Sequence, residues 1–144
     1  MRVNDLLRSK GHTVATISPD ATVAEAVDAL RQHGVGALVV SADGTSIDGI
    51  VSERDVVRHL ATDGANVVTQ PVRSIMTSDV STCTRDASLD ELMTQMTERR
   101  IRHLPVVADG CLDGIISIGD VVKGRLGELE TEARQLSDYI STGR

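Results

Sequence analysis

Two stretches of this 144-residue chain carry the same acidic and hydroxylic residues at the same spacing: "DGIVSERD" at residues 48–55 and "DGIISIGD" at residues 113–120. In each, a serine follows a short apolar run and an aspartate stands three residues later, giving the pairs Ser52 with Asp55 and Ser117 with Asp120. Two chemistries fit that spacing. One is a capping box, in which the hydroxyl accepts a backbone N–H of a helix's first turn and the acid accepts the N–H of the serine, worth about 0.5–2 kcal/mol per cap. The other is ligand binding. A helix that opens directly after a strand presents unpaired N–H groups and the positive end of its dipole, which favour phosphate, at the strand end where ligands sit in open sheets. A carboxylate one turn in can also accept both hydroxyls of a vicinal diol such as ribose, and hydrogen bonds to a charged group contribute about 1.5–3 kcal/mol. The residues alone leave both readings open.

The elements that must position these residues are also written twice. At an offset of 66, Val14, Thr16, Asp20, Ala21, Glu25, Leu38, Val40, Asp43 and Gly44 fall on Val80, Thr82, Asp86, Ala87, Glu91, Leu104, Val106, Asp109 and Gly110. The offset becomes 65 at the motif itself, where Asp48, Gly49, Ile50, Ser52, Asp55, Val56 and Val57 have identical counterparts. Lead-in segments correspond as well, "VNDLL" at 3–7 with "VRSIM" at 72–76. Turn signals and apolar period predict the order strand ("VATI", "VSTC"), helix, strand ("VGALVV", "IRHLPVV"), tight Asp-Gly turn, strand ("IDGIV", "LDGII"), helix. Thr22 with Glu25 and Ser88 with Glu91 give the first helix of each unit the same capping form. The expected class is α+β: two βαββα units, the first over 1–60 with its lead-in, a linker over 61–70, the second over 71–126 with its lead-in, and a C-terminal helix and tail over 127–144.

Composition narrows the function. Fifteen basic residues against twenty-one acidic ones leave a net charge of -6, and Tyr139 is the single aromatic residue. Nucleic acid needs a cationic surface and often stacking platforms, so it is not expected as a main partner. No apolar run approaches the length of a bilayer span and the N-terminal residues lack the apolar stretch of a signal peptide, so no membrane association and a cytoplasmic location are expected. Cys83 and Cys111 have no metal spacing and are expected as free thiols. No Walker loop, zinc-binding His-Glu-x-x-His or nucleophile-elbow pattern occurs, and no enzyme is expected.

The doubled motif Gly-h-h-Ser-x-x-Asp-h-h (h apolar), as "GIVSERDVV" and "GIISIGDVV", together with "RHLPVV" after an amphipathic helix, resembles the cystathionine beta-synthase (CBS) domain. The resemblance runs from about Val3 to Arg125, and the whole chain looks like the stand-alone bacterial tandem CBS-pair proteins. It implies two units packed sheet to sheet about a pseudo-twofold axis, with two clefts that take adenosine compounds: AMP, ADP, ATP, NAD(H) or S-adenosylmethionine. No obligatory cofactor is implied. Carried onto this sequence, it implies that Asp55 and Asp120 hold ribose hydroxyls and that Ser52 and Ser117 meet phosphate or ribose oxygens. The backbone around Thr16 and Ile17, and around Thr82 and Cys83, would meet the adenine edge, and Arg102 and His103 would face phosphate. Beyond the resemblance, one cleft is expected to combine Arg54, Arg102 or His103 around an anion. The copies differ here, since Gly36 and Ala37 stand opposite Arg102 and His103, and Ile118 and Gly119 opposite Glu53 and Arg54. The clefts are therefore expected to be chemically unequal. A phosphate at His103 would strengthen binding as pH falls toward about 6.

His12, His33 and His59 share no metal spacing and read as surface residues. Val122, Leu126, Leu129, Ala133, Leu136 and Ile140 form a heptad seam, which predicts either packing along the chain's own domain or a homodimer contact. Gly124 and Gly127 predict a bend where this helix leaves the second unit. The functional expectation is a nucleotide-responsive regulatory module with an unidentified protein partner, or else a ligand-independent dimeric scaffold.

Overall fold

The computed structural model describes residues 1–143. A lead-in helix α1 (Val3–Lys10) precedes the first unit, which runs β1 (Thr16–Ile17), α2 (Val23–His33), β2 (Ala37–Val40), β3 (Gly49–Ser52) and α3 (Glu53–Asp63). The second unit contains α4 (Leu89–Arg99), β4 (His103–Ala108), β5 (Cys111–Ser117) and α5 (Ile118–Thr142). In the first sheet β1 lies parallel to β2, and β3 antiparallel to it, with Ala37 opposite Ser52. The second sheet pairs β4 with β5 in the same antiparallel register, His103 opposite Ser117.

The helix starts follow their chemistry. Ser52, Ser88 and Ser117 each accept the N–H of the residue three positions on and have their own N–H taken by that residue's carboxylate. Thr22 accepts from Glu25 N at 3.1 Å without the return bond. The strands predicted over "VATI" and "VSTC" are shorter than expected. The first keeps two residues, and the second shrinks to a single parallel bridge between Cys83 and Val106, because Pro105 stands where Val39 donates to Ala15 O in the first unit and has no N–H to give.

The two Asp-Gly turns also part ways. Asp109 and Gly110, at φ 53 and 77, close a two-residue hairpin between Ala108 and Cys111, as a mirror-type turn requires. Asp43-Gly44 lies instead in the longer loop 41–48. There the Asp43 carboxylate organises the chain by accepting the N–H groups of Thr45 and Ser46 at 2.9 and 2.8 Å, and those bonds hold its pKa far below the usual carboxylate range.

Each unit has its own apolar core, and each core is finished by the other unit's lead-in. Val3, Leu6 and Leu7 of α1 are buried with Leu89, Leu92, Met96, Leu104, Ile116 and Val121 of the second unit. Val72 and Ile75 are buried with Val23, Leu30, Leu38, Val51 and Val56 of the first. Matching backbone bonds fasten the exchange: Val3 N to Ala87 O at 2.9 Å, and Val72 N to Ala21 O at 2.7 Å. The stretch 61–70 is structured too, since α3 continues to Asp63, residues 64–69 form a 3-10 turn, and Val67 is fully buried in the first core.

Neither Gly124 nor Gly127 interrupts α5, which is one helix through both. Gly124 serves close approach: a Cβ there would stand 2.9 Å from Leu89 and 3.0 Å from Leu6. The apolar seam stays outside both cores, with Val122, Leu126, Leu129, Leu136 and Ile140 all exposed. No helix among the described residues is long and apolar enough to cross a membrane.

Candidate functional site

The two motif aspartates occupy equivalent places, one at the start of α3 and one at the start of α5. Asp55 is buried, and burying a carboxylate is costly unless it is hydrogen-bonded. Its Oδ2 accepts from Ser52 N at 2.8 Å and Ser52 Oγ at 3.0 Å, and Oδ1 lies 3.4 Å from the Thr77 hydroxyl. Asp120 uses the same oxygen for its cap, Oδ2 accepting from Ser117 N at 2.9 Å. Its Oδ1 accepts no hydrogen bond among the described residues. Both capping and binding are thus compatible in one side chain, because the cap occupies Oδ2 and leaves Oδ1 outside it, met by the Thr77 hydroxyl at Asp55 and by no described residue at Asp120.

Exchange of the lead-ins completes both places from the opposite half of the sequence. At the first site Thr77, which follows the second lead-in, pairs with Ile50 by two backbone hydrogen bonds of 2.9 Å. At the second, the end of α1 brings Lys10, whose Nζ donates to Asp120 Oδ2 at 2.5 Å and to Ile115 O at 2.7 Å. Burial raises the Asp120 pKa, but the Lys10 hydrogen bond and charge and the Ser117 N–H outweigh it, so the net position is below 3.8.

His103 sits beside Ser117 in the β4–β5 ladder, and its ring lies where a side chain on Gly36 would be, 3.2 Å from the Cβ that Gly36 lacks. The two units therefore meet at a glycine facing an imidazole. Burial lowers the His103 pKa below 6.5, Lys10 and Arg102 lower it further, and Glu53 and Asp120 oppose them. Arg54 reaches from α3 to the carbonyl of Arg100 at 3.5 Å, and the Arg102 side chain is exposed. So Ser117, Asp120 and His103 gather at the second site with Lys10 and Glu53, with Arg102 next to His103 in the chain and exposed; Ser52 and Asp55 form the first with Thr77.

The residues proposed to meet adenine divide by geometry. The carbonyls of Ala15 and Ile17 accept from Val39 N and Ser41 N, and Cys83 donates its N–H to Pro105 O and accepts at its carbonyl from Val107 N. In a parallel edge strand alternate residues face opposite ways, so the outer-edge main chain belongs to Thr16 and Thr82, the latter already bonded to Gln95. The Cys83 thiol is buried and pushed up to about 11 by desolvation. Neither of the leading motif aspartates joins a site. Asp48 accepts from Ala42 N at 2.8 Å, and Asp113 holds Arg85 through two bonds of 2.6 and 2.8 Å. His12 and His59, read as surface residues, both have partners, in the carbonyls of Asp113 and Asp55. No cluster that could hold a metal occurs among the described residues.

Lys10, Thr77 and Glu53 escaped sequence reasoning as site residues. The lead-in correspondence was the available signal, but it points to the site only once the exchange is known.

Comparison with known proteins agrees with this geometry. The CBS domain family profile matches residues 3–62 and 72–127. The crystal structure of the CBS-domain containing protein ATU1752 from Agrobacterium tumefaciens is 47% identical, with a TM-score of 0.84 over 87% of this chain and 99% of that one. The mitochondrial CBS domain-containing protein CBSX3 of Arabidopsis thaliana is 36% identical over 98% of this chain and 72% of its own length. The CBS domain pair of protein MJ0100, solved in complex with 5'-methylthioadenosine and S-adenosyl-L-methionine, is 25% identical with a TM-score of 0.77 over 89% of this chain and 98% of that one. With two complete copies of the motif, two equivalent capped aspartates and a matching fold along its length, the chain belongs to the CBS domain family, as a tandem CBS pair.

Proposed function

We propose that the chain is a regulatory module that binds an adenosine ligand through Asp55 and Asp120 and passes the event on through its packing or its partners, with no catalytic step. The observation that carries this reading is the pair of capped aspartates, each keeping one carboxylate oxygen outside its capping box. The MJ0100 pair, which binds two adenosine compounds, supports the ligand class. A ligand shifts such a module only by its differential affinity for two states. Ser52 and Ser117 would orient the carboxylates, Thr16 and Thr82 would offer main-chain groups to the base, and His103, Arg102 and Arg54 would face the charged end. Candidate ligands are AMP, ADP, ATP, NAD(H) and S-adenosylmethionine.

Thermal melting with that panel tests the proposal. A ligand at about 100 times its dissociation constant adds about 2.7 kcal/mol, a rise of several degrees, and Asp55→Asn with Asp120→Asn should abolish it. No rise with any member would favour the other reading, a scaffold that works without ligand. The exposed seam of α5 is the observation in that reading's favour, since it is an interaction surface independent of either aspartate. In both readings α5 is the contact of a homodimer.

A further inference from the structure

The two aspartates are copies, but what stands beside them is not. Val3 lies eleven residues before Val14, whereas its counterpart Val72 lies eight before Val80. The first lead-in is thus three residues longer, and Lys10 falls in the extra length. Its ammonium occupies at Ile115 O the place that the Thr77 N–H occupies at Ile50 O. The second site therefore carries a cation directly on its carboxylate, with His103 and Arg102 nearby, where the first has a neutral hydroxyl, Ala37 and Gly36. The Lys10 side chain is 31% exposed, on a flexible four-carbon stem at the end of α1, and an ion pair so open to water is weakly held.

We propose that the second site is specific for an adenosine ligand bearing phosphate, and that Lys10 decides it by exchanging Asp120 for a phosphate oxygen while the ribose hydroxyls take its place on the carboxylate. This rests on the adenosine reading and deepens it. The exchange keeps every charge paired. Asp120 Oδ1 can take one ribose hydroxyl, but the second needs Oδ2, which already holds Lys10 and the Ser117 N–H; a neutral nucleoside seated on both oxygens would part Lys10 from Asp120 without giving the ammonium a new counter-ion, whereas a phosphate supplies one. Without Lys10, a phosphate would meet Asp120 and Glu53 with Arg102 and Arg54 as the remaining fixed cations, neither of them bonded to the carboxylate. At the first site no such exchange is needed, and neutral and phosphorylated ligands should bind there alike.

Calorimetric titration with AMP and with adenosine, on the wild type, Lys10→Met and Lys10→Arg, tests this. The wild type should prefer AMP at one of its two sites by about tenfold or more, the scale of a charge-assisted hydrogen bond. Lys10→Met should erase that preference, weakening AMP about tenfold while adenosine binds as before or better, and Lys10→Arg should keep it. Should Lys10→Met leave the AMP-to-adenosine ratio unchanged, or weaken both ligands equally, the role of Lys10 is refuted and the adenosine reading stands. Should neither ligand bind the wild type, the phosphate-selective second site is refuted, and the adenosine reading is then decided by the melting panel.

Discussion

His103 is kept neutral by its setting: burial first, then the charge of Lys10, hold its pKa below 6.5 against the pull of Glu53 and Asp120. Below 6.5 the unfolded chain takes up its proton more readily than the folded one, so stability is complete above that pH and declines beneath it. Asp113 and Asp120 lie below 3.8 and stay ionised over this range. Melting temperatures should therefore fall between about pH 7 and about pH 5.5, and less so in His103→Gln; an unchanged profile in that variant would refute the assignment. A bound phosphate favours the imidazolium, so the gain in affinity on acidification begins lower than an ordinary histidine would place it. Legibility at this scale followed sequence distance. Ser52 with Asp55 and Ser117 with Asp120 were readable because partners three residues apart are written side by side. Lys10 and Asp120 are 110 residues apart, and nothing local announces their contact.

The motif glycines belong to the scale of elements. A Cβ on Gly49 would stand 2.7 Å from Met76 Sδ and 2.9 Å from the Thr77 carbonyl, and one on Gly114 would stand 2.7 Å from Leu7 Cδ2. Both glycines let the exchanged lead-in lie flat on a strand, so the repeated Asp-Gly at 48–49 and 113–114 marks an approach and not a turn. Gly49→Ala should cost about 1–3 kcal/mol, the usual toll of overpacking a close contact, and more than Gly114→Ala, because a backbone carbonyl yields less than a leucine methyl. Chemical denaturation of the two variants checks the order; equal midpoints to the wild type would contradict it. Helix starts were legible because a capping box is a local code, with three complete boxes and one half box where four were expected. The edge strands were not, because two residues at β1 and one bridge at Cys83 are fixed by which N–H groups the neighbouring strand offers, and Pro105 offers none.

Across the whole molecule, the α+β class and the doubled unit could be read from identities in register, whereas the exchange of lead-ins could not, since a lead-in pairs equally well in sequence with either core. Leu7 is 1% exposed in the second core, so Leu7→Ala should cost about 2–5 kcal/mol. The seam on α5 was legible as a seam, from spacing alone. Leu129 and Leu136 are 45% and 61% exposed, so Leu129→Glu with Leu136→Glu should leave the circular dichroism of the fold unchanged while halving the mass seen by light scattering. A wild-type monomer at micromolar concentration would defeat the dimer.

The crossed lead-ins also forbid a simple economy. A gene trimmed to one repeat would encode a body lacking part of its filling and trailing a greasy stub with nowhere to go: the front half without Val72 and Ile75, the back half without Val3, Leu6 and Leu7. Duplication here is irreversible bookkeeping between neighbours, and shedding either half would strand the other.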